Sequence, residues 1–71
     1  MITVTRLDQT RFAVNPDLIE RAYASPDTTL HMVDGGVFVV KESLDELTGL
    51  IVAYRARVLA AASGLTAQPE G

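Results

Sequence analysis

The sequence predicts an α+β fold: a small curled antiparallel β-meander of about five short strands, then one long C-terminal helix. Two patterns carry that expectation. Up to Val40, short apolar runs alternate with turn residues, at Asp8-Gln9-Thr10, Asn15-Pro16-Asp17, Pro26-Asp27 and Asp34-Gly35-Gly36. From Ser43 the apolar residues switch to 3-4 spacing, at Leu44, Leu47, Ile51, Tyr54, Val58 and Ala61, which is the period of a helix with one apolar seam.

Each element follows from its residues. Ile2-Thr3-Val4-Thr5-Arg6 alternates with period two and is β-branched, as a half-buried strand should be. Arg11–Val14 is a second strand, with Phe12 and Val14 on one face, and Asp8-Gln9-Thr10 joins the two as a hairpin. A primed turn there would need residues that tolerate positive φ. Asn15-Pro16-Asp17 then breaks the strand, because proline has no amide hydrogen to donate. Asn15 is placed to cap a single helical turn over Pro16–Leu18, with Pro16 at its first position. Ile19–Ala24 is a third strand and Thr28–Val33 a fourth, and Asp34-Gly35-Gly36 is the strongest hairpin signal in the chain.

Val37-Phe38-Val39-Val40 is apolar on both faces. It should be covered on one side by the domain's own core and on the other by a helix or a partner. Ser43-Leu44-Asp45-Glu46 has the form of a capping box, and Asp45 and Glu46 suit the positive end of the helix dipole. The helix should run to Ser63 and stop at Gly64. One domain over residues 1–64, with its meander in 1–41 and its helix in 43–63, leaves 65–71 as a flexible tail.

Composition narrows the function. Seventy-one residues allow a single domain, and chains this short have little core to offset chain entropy. The chain has no cysteine, yet 48% of its residues are hydrophobic and 21% charged. Neither a disulfide nor a thiolate metal site can staple it, so association between copies is the expected source of extra burial. A net charge of −3 with scattered arginines argues against sequence-independent nucleic-acid binding, which needs a dense cationic surface. Met1 leads straight into an alternating strand, without a basic stretch followed by an apolar one, so no signal peptide is expected. Arg55 and Arg57 interrupt Leu47–Leu65, which makes it a poor membrane span. The expected location is cytoplasmic, with no direct membrane insertion.

Catalytic chemistry finds no foothold. Acid–base or nucleophilic catalysis needs a nucleophile or paired carboxylates held near a tuned base. The one histidine, His31, lies mid-strand on the face of Thr29 and Val33, where a structural or surface role is expected. A single histidine without cysteines does not make a transition-metal site. Gly35-Gly36 joins two strands, not a strand to a helix, so it is no phosphate cradle. A non-enzyme without cofactor or metal is expected.

The helix seam is the more informative surface. About 20 helical residues span ~30 Å, whereas strands of about five residues span ~17 Å. Part of the seam formed by Leu47, Ile51, Tyr54, Val58 and Ala61, widened by Leu50, Ala53 and Ala60, should therefore overhang the sheet and pack against other copies. The expected assembly is a homo-oligomer of three.

Phe12-Ala13-Val14-Asn15-Pro16-Asp17-Leu18-Ile19-Glu20, then Pro26-Asp27-Thr28, then Asp34-Gly35-Gly36, then Val39-Val40-Lys41-Glu42-Ser43 form an ordered set of motifs over about two thirds of the chain. In order and spacing they resemble the FlbD-type small flagellar proteins of bacteria, which include the SwrD-type swarming motility proteins. Asp8-Gln9-Thr10, Ala22-Tyr23-Ala24 and the alanine-rich helix end depart from the family pattern. The resemblance implies a non-enzymatic accessory of flagellar motility, acting at the flagellar base through contacts with a motor or stator component. It also implies that Asn15, Asp17, Glu20, Lys41 and Glu42 form a polar docking surface; turn and cap chemistry is the plainer account of the same residues. Two other readings are a DNA-binding regulator resembling the β-fold of LytTR-type domains, and a plain oligomerisation module.

Overall fold

The computed structural model describes residues 1–66, with side chains to Ser63. Its elements are β1 (Ile2–Thr5), β2 (Arg11–Val14), a 3-10 turn at Pro16–Leu18, β3 (Ile19–Ala24), β4 (Thr28–Met32), β5 (Val37–Val40) and α1 (Leu44–Thr66). The α+β expectation holds, with five short strands followed by one long helix. The strands form two antiparallel sheets, β1-β2 and β3-β4-β5. The two meet where Arg6 bridges Val40 and the Lys41 amide donates to the Thr5 carbonyl at 2.8 Å.

Two of the three hairpin turns, those joining β1 to β2 and β4 to β5, share one geometry. At Met32–Gly36 the Gly35 amide donates to the Met32 carbonyl at 3.0 Å and the Met32 amide to the Gly36 carbonyl at 2.8 Å, with Gly35 at φ 93°. At Arg6–Thr10 the matching bonds are Gln9 to Arg6 at 3.0 Å and Arg6 to Thr10 at 2.7 Å, with Gln9 at φ 78°. An aspartate braces each turn: Asp34 Oδ1 accepts from the Gly36 amide and Asp8 Oδ1 from the Thr10 amide, both at 2.9 Å. The bonds from Thr10 hold the Asp8 carboxyl below its ordinary pKa. Gln9 thus occupies a backbone position that Gly35 fills in the Met32–Gly36 turn. Gln9→Gly should raise the unfolding free energy by about 1 kcal/mol, the left-handed strain less glycine's chain entropy. An unchanged urea midpoint would contradict it.

The core consists of Ile2, Val4, Val14, Leu30, Met32, Val40 and Leu47, which are the inward-facing residues of alternating strands plus one residue of the helix. Phe12, Ile19, Ala22, Phe38, Leu50, Ile51 and Tyr54 pack around it. The capping box is formed: the Ser43 hydroxyl accepts from the Glu46 amide at 3.0 Å, and the Glu46 carboxylate from the Ser43 amide at 2.8 Å. Asn15 Oδ1 caps the 3-10 turn by accepting from the Asp17 amide at 3.0 Å. The helix differs from expectation at its far end. It passes through Gly64 and continues to Thr66, since a helical glycine costs only about 1 kcal/mol relative to alanine. Of the tail expected at 65–71, residues 67–71 lie outside the described residues.

Candidate functional site

At about 1.5 Å per residue, the 23 residues of α1 make a rod of ~34 Å. It starts beside the β5 end of the three-stranded sheet and runs back toward the opposite end. Arg55 forms an ion pair there with Asp17, and the neighbouring Leu18 carbonyl accepts from the Val33 amide at 2.9 Å. Both partners of the ion pair are about half exposed, at 56% and 51%, so it places the helix more than it stabilises the fold. Beyond Arg55 the helix has left its sheet: every described side chain from Ala56 to Ser63 is exposed. The molecule accordingly measures 51 × 23 × 19 Å.

The seam therefore divides. Leu47, 4% exposed, is part of the protomer's own core, and Ile51 and Tyr54 are half-buried against that core. Of the residues expected at an interface between copies, Leu47 is thus committed to the protomer's own core. Val58 continues the same face at 48% exposure, and Ala61 follows it. A second apolar stripe, missed in the sequence, runs through Val52 and Leu59, which are 61% and 67% exposed. Their spacing of seven puts them on one face, roughly 120–140° around from Leu47. The signal was present in the spacing, but the stronger seam masked it. Val58-Leu59-Ala60-Ala61-Ala62 leaves the overhang apolar nearly all round, a pattern that belongs to buried helices.

The five polar candidates do not converge. In β-strand register Ile19 pairs with Met32 and Thr28 with Val40. Asn15, Asp17 and Glu20 consequently sit at one end of the three-stranded sheet and Lys41 and Glu42 at the other. Asn15 caps, Asp17 holds Arg55, and Glu20 occupies the irregularity between Ile19 and Arg21. Glu42 is a clamp: its carboxylate accepts from the Thr5 amide at 2.8 Å and the Thr5 hydroxyl at 2.9 Å, joining the two sheets. Burial opposes its charge most, but the two bonds from Thr5, with a smaller attraction from Arg11, leave its pKa lowered.

A shallow cleft of about 350 Å³ between the Pro26-Asp27 turn and the start of α1 includes Thr28, Lys41 and Asp45 in its lining. Among the described residues no group of three His, Asp or Glu could hold a metal ion, and no helix is long and apolar enough to cross a membrane. His31 lies on the outer sheet face, its ring stacked on Tyr23 with centroids 5.4 Å apart and its Nε2 hydrogen-bonded to the Tyr23 hydroxyl at 3.2 Å.

No curated protein and no solved structure matches this chain. Residues 1–59, which contain the whole β-region and the docked part of the helix, match the model of a family described as FlbD, flagellar and swarming motility proteins, and the chain belongs to that family.

Proposed function

We propose that the protein is a non-enzymatic, cytoplasmic accessory of bacterial flagellar motility that assembles through its helix and works by protein contacts at the flagellar base. Membership of the FlbD family supports the flagellar role. The partner expected there is a component of the motor or its stator. Asn15, Asp17, Glu20, Lys41 and Glu42 would contribute to docking through the exposed Glu20 and Lys41, because Asn15, Asp17 and Glu42 already have partners within the chain.

One observation carries the assembly: the helix stays apolar after it has left its own sheet, with Val58 and Leu59 at 48% and 67% exposure. Burying such residues contributes about 25 cal/mol per Å² of apolar surface, and the small Ala60, Ala61 and Ala62 let a second helix approach closely. Ile51 and Tyr54 supply their uncovered halves to the same contact. We expect three copies.

Val58→Asp tests this cleanly, because Val58 has no role in the protomer core. Sedimentation velocity should find an oligomer for the unmodified protein and a monomer for V58D, with unchanged circular dichroism. In a flagellated host lacking the gene, V58D should fail to restore swimming torque. An unmodified protein that sediments as a monomer at tens of micromolar would remove the assembly from the reading.

A further inference from the structure

We infer that the cleft between the Pro26-Asp27 turn and the start of α1 binds a small zwitterion, an α-amino acid with a short aliphatic side chain. The inference goes beyond the flagellar reading and does not depend on the helix assembly.

Strand register builds the floor of the cleft. Ala24 pairs with Thr28 and Thr28 with Val40, so these three residues form one row across β3, β4 and β5. The row lies on the face that carries Leu30 and Met32 into the core. Thr28, at 4% exposure, is the only buried polar residue among the described residues. Its hydroxyl has no hydrogen-bond partner among them, whereas buried hydroxyls are normally paired. No side-chain oxygen sealed from solvent among the described residues lacks a partner. The Thr28 hydroxyl is therefore reached from the cleft that it lines.

The walls choose the ligand. The first N–H groups of a helix have no partner within it. Ser43 accepts from the Glu46 and Leu47 amides, which leaves those of Leu44 and Asp45 unpaired at the positive end of the helix dipole. Lys41 lines the same wall, and the combination suits a carboxylate. Asp27 on the facing turn, together with Asp45, suits an ammonium group. Lys41, Asp27 and Asp45 all line this one cleft, yet none of them is in a salt bridge among the described residues. The cleft thus presents both signs without letting them neutralise each other. A plain carboxylate would meet Asp27 and Asp45, and a plain amine would meet Lys41 and the helix dipole; a zwitterion answers both. Ala24, Pro26, Val40 and Leu44 supply an apolar lining for a short aliphatic side chain. A volume of about 350 Å³ is at the lower end for ligand pockets, which run from about 300 to 1,000 Å³, and so limits the ligand to a small molecule.

The test titrates the full ¹⁵N-labelled chain with L-valine, and with isobutylamine and isovalerate, which keep its side chain but only one charge each. L-Valine should give saturable shifts at Thr28, Lys41, Leu44 and Asp45, with a Kd on the order of 1 mM for so small a ligand. Each singly charged analogue should bind about tenfold more weakly. Thr28→Val should lose about as much, whereas Thr28→Ser, which keeps the hydroxyl, should bind like the unmodified protein. Equal binding of the three probes, shifts centred on another part of the chain, no saturable shift, or unchanged binding by T28V would overturn the proposal. If T28V does not fold, the analogue series on the unmodified protein decides alone. V58D should bind L-valine normally, so a failure of the helix assembly is read separately from a failure of this site.

Discussion

Leu47→Ala should lower the unfolding free energy by about 2–5 kcal/mol, the range for truncating a buried leucine. Leu47 is 4% exposed and, among the described residues, is the only one of the helix inside the core cluster with Val4, Leu30 and Val40. Deleting its three outer carbons removes the apolar contact that seats α1 on both sheets and leaves a cavity that the short strands cannot easily collapse. A domain of this length has roughly 4–10 kcal/mol of stability in total, so the loss is a large share of it. Urea unfolding at fixed protein concentration is the measurement, because association adds its own concentration-dependent stability. A change below 1 kcal/mol would mean that Leu47 is not seated as described.

The contrast with Val58→Asp is what makes the pair informative. Both residues lie on one seam, 11 positions apart, and periodicity treats them alike. The structure separates them, because the sheet ends between them. L47A should therefore weaken the fold at every concentration, whereas V58D should leave the protomer folded and abolish only assembly.

What was legible in the sequence was local. Asn15-Pro16-Asp17, Asp34-Gly35 and Ser43 with Glu46 act within a few residues of themselves, and each makes the turn or cap that its chemistry dictates. The helix seam was legible as a period, and its excess length as arithmetic. Contacts across the chain were not. Glu42 meets Thr5 and Arg55 meets Asp17 over separations of 37 and 38 residues, and these pairings depend on how tightly the sheets curl. No pattern of neighbouring residues encodes that. For the same reason Asn15, Asp17, Glu20, Lys41 and Glu42 looked like one polar surface in sequence, while strand register sends them to opposite ends of a sheet.

Glu42→Gln should destabilise the protein by about 1–2 kcal/mol at neutral pH, and the deficit should shrink as pH falls. Glu42 bonds the Thr5 amide and hydroxyl where the sheets join, beside the Lys41–Thr5 backbone bond. Hydrogen bonds to a charged acceptor contribute roughly 1.5–3 kcal/mol when sheltered, and partial exposure reduces this pair to the lower figure. The sign follows from the direction of the shift. The folded-state pKa lies below the ordinary glutamate value of 4.5, so the unfolded chain takes up the proton first as pH drops. The stabilisation is fully present above about pH 4.5 and is lost as pH falls through the folded-state value. Glutamine keeps the shape and one acceptor oxygen but has no charge to lose, so its stability should not carry this dependence. Paired urea titrations from pH 7 to pH 3 should converge. If the gap between the two proteins stayed constant over that range, the loss would not come from the ionised form of Glu42, and the charged clamp between the two sheets would have to be abandoned.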